Sequence, residues 1–285
     1  MADVRGGSLL KKQSFRIRAL SGIILAIVLV AVFILGYGVM WAFVLVLSLL
    51  GEYELYKAIG LEWGPLSWAG YLATIAYYII LLIWGISAGL ILAIAIFMIV
   101  DLGIFVVCYP KFELMHLFGS IFGVIYIGVC LSFLYLLRIY PPYGAYLVWL
   151  VVISAWGCDT CAYLVGMKMG RQKFFPELSP NKSKEGAIGG VIGAMIIALI
   201  YAIVVSKWTP GISVSWLIFP ILVMFGSIAG EIGDLAASAI KRKVNIKDYS
   251  NLIPGHGGIL DRFDSMIMVA PIIYIITIWF KIMPS

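Results

Sequence analysis

Nine apolar runs, each close to the length needed to cross a bilayer, govern what this chain can fold into. They fall near 19–36, 38–58, 66–84, 87–108, 114–138, 143–167, 186–206, 214–240 and 264–283. A helix needs about 20 residues to span the hydrocarbon layer. Inside that layer only helices and closed barrels satisfy every backbone hydrogen bond. Charged residues are 12% of the 285, and mean hydropathy is +1.08. A soluble domain carries about 25% charge. The sequence therefore predicts an all-α, polytopic integral membrane protein with nine transmembrane helices. Residues 1–18 form a polar amino-terminal segment, 19–140 a first set of membrane helices, and 141–285 a second set that does not fold alone. No internal repeat, low-complexity tract or soluble domain interrupts them.

The basic residues give the orientation. With alternating spans, 17 of the 20 Lys and Arg lie in the amino-terminal segment and in the connections at 57–66, 109–113, 168–185 and 241–263. Arg138, Lys207 and Lys281 lie on the other side. The positive-inside bias makes the first group cytoplasmic, with the carboxyl terminus outside. The expected location is the cell inner membrane, with any active site assembled from helix ends and short loops at the cytoplasmic face. A basic flank before an apolar run also suits a signal peptide, but no small-x-small cleavage pattern follows, so a retained first helix is expected. The net charge of +6 is thus a topology signal. No basic face on a soluble fold points to nucleic acid, and no Walker A loop, dinucleotide fingerprint or nucleophile motif is present.

The ionisable chemistry concentrates in Ser238–Asp264. Lys241, Arg242, Lys243, Lys247 and Arg262 supply cations, Asp248, Asp261 and Asp264 supply carboxylates, and His256 is one of 2 histidines. Pro254-Gly255 and Gly257-Gly258 break regular structure, so a loop between helix ends is expected. Cations and acids so close together suit a metal-bound polyphosphate. Just upstream, Glu231, Asp234, Ser238 and Lys241 share one helix face. A lone carboxylate at mid-membrane costs about 2.5–3.5 kcal/mol on insertion scales. Asp234 therefore needs a partner: a structural ion pair or a metal. Asp261 and Asp264 open the ninth helix, either capping it or, for Asp261 with Asp234, presenting two carboxylates to a hard cation such as Mg2+.

A second basic connection, Lys168–Gly186, contains Lys168, Arg171, Lys173, Lys182 and Lys184 around Ser179-Pro180-Asn181-Lys182-Ser183. The helix start that follows can bind an anion; the alternative is a solvated topology loop. The sequon at Asn181 is not modified in a cytoplasmic loop. Gly186, Gly189, Gly190 and Gly193 read as close helix packing rather than ligand contact. Cys158 and Cys161 read as small residues on one helix face, not as half of a zinc site. Asp101, Glu113 and His116 read as interfacial.

The Ser238–Asp264 stretch resembles the signature of the phosphatidate cytidylyltransferases. The matching positions are Ser238, Lys241-Arg242, Lys247-Asp248, Ser250, Ile253-Pro254, His256-Gly257-Gly258, Asp261-Arg262 and Asp264. Residues 145–285 look like that family, whereas the amino-terminal half matches only in hydropathy. The resemblance implies that CTP and phosphatidate give CDP-diacylglycerol and diphosphate. It implies Mg2+ on Asp234 and Asp261, with Glu231 as a further candidate metal ligand, and a second cation such as K+. Catalytic roles are expected for Asp234, Lys241, Arg242, His256, Asp261, Arg262 and Asp264, with His256 binding phosphate or donating a proton. Substrate contacts are expected from Asp159, Lys168, Arg171, Ser179, Lys182, Ser183, Lys184, Ser238, Lys247, Asp248, Gly257 and Gly258. A homodimer is implied, with the glycine-rich and amino-terminal helices as candidate seams. Two other readings stay open: an ion-coupled transporter using Asp159, Glu231 and Asp234, and a related enzyme using another lipid phosphate or a polyprenol.

Overall fold

The computed structural model describes residues 20–140, 143–208, 217–255 and 257–279. Nine helices occur among them: α1 (Leu20–Leu35), α2 (Tyr37–Ala58), α3 (Pro65–Trp84), α4 (Ala88–Val107), α5 (Leu114–Ile139), α6 (Gly144–Met169), α7 (Lys184–Trp208), α8 (Ile218–Lys243) and α9 (Leu260–Trp279). Eight are long and apolar enough to cross a membrane; α1 is shorter. The chain is an all-α integral membrane protein. Apolar length dictates these elements, and propensity matters little in surroundings that offer the backbone no other partner.

Apolar side chains face outward, as they do where lipid is the solvent. On α4, Ile91, Ile99, Val106 and Val107 are 74%, 71%, 71% and 84% exposed. Inside, one buried apolar cluster runs from Leu29 to Tyr274, so both halves of the chain share a core. In the carboxyl-terminal half α6 packs on α7, α7 on α8 and α8 on α9, and α9 also packs on α5.

The glycine-rich start of α7 is a seam within the chain. A Cβ at Gly190 would stand 2.8 Å from Ala162 Cβ and 2.9 Å from the Cys158 carbonyl oxygen. One at Gly193 would stand 2.6 Å from Cys161 Cβ and Sγ. The small residues of α6 and α7 thus let two backbones approach closely. This face is filled by α6 of the same chain, so it is not the free seam for a second copy that the sequence suggests.

Three local features stand out. Residues Lys173–Phe175 (β1) and Ser179–Ser183 (β2) form a short antiparallel hairpin between α6 and α7, with Lys173 opposite Ser183. α9 begins at Leu260, so Asp261 lies in its first turn and Asp264 in its second. Asp101, near the end of α4, is fully buried within the protein and accepts a hydrogen bond from Ser120 Oγ at 3.3 Å.

Candidate active site

Five elements converge on one cavity, α7 through Gly186 and Ala187. α8 brings Glu231, Asp234 and Lys241, and α9 brings Asp261, Arg262 and Asp264. α6 brings Trp156 and Asp159, and β2 brings Asn181, Lys182 and Ser183. α6 contains a π-helical turn at Ile153–Gly157, directly before Asp159. Such a turn inserts an extra residue and re-aims the side chains beyond it, and it often occurs at functional sites. Trp156 at its end donates from Nε1 to the Arg262 carbonyl at 3.2 Å, tying α6 to the start of α9.

The hairpin closes one wall through Lys182. Its Nζ lies 2.7 Å from Glu231 Oε2 and 2.6 Å from Asp234 Oδ2. Burial alone lowers an ammonium pKa, but Asp234 and Glu231 outweigh it and hold Lys182 above the ordinary lysine range. The ion-pair reading of Asp234 is therefore seen directly. Glu231, on the same helix face three residues earlier, shares the lysine.

Asp261 organises the loop between α8 and α9. Its Oδ1 lies 2.6 Å from Lys241 Nζ, and its Oδ2 accepts from the backbone N–H groups of Tyr249 at 2.9 Å and Gly258 at 3.0 Å. Lys241 also stands over the Tyr249 ring, 5.5 Å from its centroid. Burial, with the carboxylates and the phenol of Tyr126 around it, keeps the Tyr249 hydroxyl protonated well beyond the ordinary range. Asp264 faces the same cavity and accepts from Ser265 N–H at 2.7 Å.

The cavity encloses about 860 Å³, and its lining carries six carboxylates against three cations: Asp159, Glu231, Asp234, Asp248, Asp261 and Asp264 beside Lys182, Lys241 and Arg262. Ser179 and Ser183 also line it. Eleven of the residues expected from sequence thus meet in one place. Lys168, Arg171, Lys184, Ser238, Arg242, Lys247, Gly257 and Gly258 do not line it; Lys184 instead reaches Gln172 Oε1 at 3.2 Å. His256 lies outside the described residues. Sequence reasoning missed Trp156, whose pairing follows from the π-helical turn, and Asn181, which it read only as part of a sequon.

A family model for the Cytidylyltransferase family matches residues 16–280. The chain belongs to the cytidylyltransferase family. The family makes it an enzyme, a nucleotidyltransferase. Phosphatidate cytidylyltransferase of Bacillus subtilis (strain 168) is 35% identical over 157 residues, 55% of this chain and 56% of that protein. The protein of that name from Thermotoga maritima is 37% identical over 161 residues, 56% of this chain and 58% of that one. That from Staphylococcus aureus (strain COL) is 32% identical over 268 residues, 92% of this chain and 99% of that one. The chain thus spans little more than half the length of the first two and nearly all of the third.

A cytidylyltransferase must admit a polyphosphate, and this cavity is rich in negative charge. Its donors are hard carboxylate oxygens, which suit a hard divalent cation. Among the described residues no three ligating side chains form a ready-made cage. Mg2+ uses one or two carboxylates and completes its shell with phosphate oxygens and water, so the donor chemistry is of the right kind. The excess of acid over base is negative charge that a hard cation would offset.

Proposed function

We propose that this protein joins CTP to phosphatidate, leaving CDP-diacylglycerol in the membrane and releasing diphosphate. One observation carries the reading. A second space of about 610 Å³ between the hairpin, α7 and α8 borders the charged cavity, and Ala187 and Glu231 line both. Phe174, Phe175, Ile188, Val191, Ile228 and Ile232 make that groove apolar. An acid-rich polar pocket beside an apolar groove suits a lipid phosphate meeting a nucleotide.

A phosphate oxygen of phosphatidate attacks the α-phosphorus of CTP. The new P–O bond forms as the bond to the β-phosphate oxygen breaks, and diphosphate leaves. The second pKa of a phosphate monoester is about 6, so the nucleophile is already ionised near neutral pH and needs little help from a base. The harder task is bringing two anions into contact. Lys182, Lys241 and Arg262 supply fixed positive charge at the cavity wall. Asp234 and Asp261 would hold Mg2+, with Glu231 beside Asp234; bound there, the ion adds positive charge against the phosphates of both reactants. A second cation such as K+ belongs to the same proposal.

On this reading the cavity faces the cytoplasm of a cell with the protein in its inner membrane, as the distribution of Lys and Arg favours. The enzyme acts as a homodimer, and with the α7 seam filled internally the amino-terminal helices remain as the contact. Ion-coupled transport is disfavoured because the acids gather with a lysine-bearing hairpin and helix ends. The test is diphosphate release by purified protein in detergent with Mg2+, CTP and a panel of lipid acceptors. Release that requires phosphatidate supports the proposal. Release only with a polyprenyl phosphate moves it to another acceptor, and ion flux without release replaces it with transport.

A further inference from the structure

Glu54 lies on α2, in the amino-terminal half, and is 1% exposed. Its carboxylate accepts three hydrogen bonds from a segment about 200 residues further along the chain. Ser250 Oγ donates at 2.5 Å and the Ile259 N–H at 2.9 Å, both to Oε1, and the Leu260 N–H donates at 2.8 Å to Oε2. Among the described residues it makes no ion pair. A buried carboxylate without a counter-ion is costly unless donors surround it. Here the donors are backbone groups at the start of α9, which have no partner within their own helix and sit at its positive end.

Gly258 shows how close this contact is. A Cβ there would stand 2.6 Å from both Glu54 oxygens. The glycine at this position is thus a consequence of a carboxylate arriving from a distant helix. On the other side of the same loop, Asp261 holds the N–H groups of Tyr249 and Gly258. The connection from α8 to α9 is strung between two carboxylates, one from each half of the protein. Leu260, pinned by Glu54, is followed in the same rigid helix by Asp261, Arg262 and Asp264.

We propose that Glu54 is a positioning residue: it fixes the start of α9, and so sets where Asp261, Arg262 and Asp264 present themselves to the cavity. Its kinetic consequence rests on the proposed cytidylyl transfer; its structural consequence does not.

Glu54→Gln tests this, because the amide keeps the shape but offers one acceptor oxygen and turns an NH2 toward a backbone N–H. Amide exchange at residues 249–262 should quicken at least about tenfold, the scale expected for losing a hydrogen bond to a charged group. Peptides from α3 and α4 should be unchanged. The kcat should fall by about tenfold or more, with KM for CTP within about threefold. Gly258→Ala, which leaves Glu54 in place but drives a methyl against its oxygens, should free the same amides and serves if the glutamine variant does not purify. Unchanged exchange at 259 and 260 would overturn the proposal. So would local release with an unchanged kcat, or faster exchange throughout the chain. Should the wild-type protein show no cytidylyl transfer, the functional reading fails and exchange alone decides the role of Glu54.

Discussion

Lys182 Nζ lies 2.6 Å from Asp234 Oδ2, joining the hairpin between α6 and α7 to the inner face of α8. The same nitrogen lies 2.7 Å from Glu231. The basic connection is therefore more than a topology signal, since one of its lysines forms part of the cavity wall.

Replacing Lys182 with alanine leaves two acids facing each other without a cation. Removing one partner of a buried pair costs about 3–5 kcal/mol. Asp234 is 26% exposed on its side chain, so screening reduces the stability loss to about 1–3 kcal/mol. Cytidylyl transfer should fall by about two orders of magnitude. A raised folded pKa contributes stability that is complete below the unfolded lysine value of about 10.4 and is lost as pH rises through the higher folded value. Lys182 therefore stays charged through the neutral range. A rate profile over about pH 6–9 should show no inflection that Lys182→Arg removes.

Asp234→Asn should leave the helices intact, because Lys182 keeps Glu231 as its partner. Turnover is expected to fall about 100-fold or more. The Mg2+ concentration for half-maximal rate should rise. Magnesium titration of the rate, beside thermal unfolding in detergent, checks both. An unchanged magnesium requirement would remove Asp234 from the cation site. Chelation should stop the wild-type enzyme, and added Mg2+ should restore it.

The apolar groove predicts a split between the two substrates. Ile188 and Ile232 are 64% and 54% exposed along it. Ile232→Trp should narrow the space and raise KM for long-chain phosphatidate about tenfold, the cost of displacing one or two buried methylenes. KM for CTP should stay the same. Steady-state kinetics with long- and short-chain lipid separates the cases, and equal effects on both substrates would place the lipid elsewhere.

Much of this molecule was legible in its sequence, for identifiable reasons. Bilayer thickness imposes helix length, so the apolar runs fall on the helices of the structure within a few residues. Glycine at helical spacing gave the α7 seam, and Cys158 and Cys161 proved to be its opposing face. The acids at Glu231 and Asp234 were found because a carboxylate in an apolar run requires a reason. The hairpin was not legible, since Ser179-Pro180-Asn181-Lys182-Ser183 has neither alternation nor β-branched residues. Nothing local marks Glu54 as a partner of the connection from α8 to α9, because periodicity carries no information about a partner some 200 residues away. Charge alone also could not tell Lys182, which turns into the cavity, from Lys184, which turns to Gln172.

The most direct test follows the phosphorus atoms. Purified protein in detergent with Mg2+ and phosphatidate would be given CTP labelled at the α-phosphorus in one reaction and at the γ-phosphorus in another. Attack of the lipid phosphate on the α-phosphorus predicts α label in the lipid product and γ label in free diphosphate, both lost on chelation. Transfer of γ label to the lipid, or no labelled lipid from either nucleotide, would contradict it.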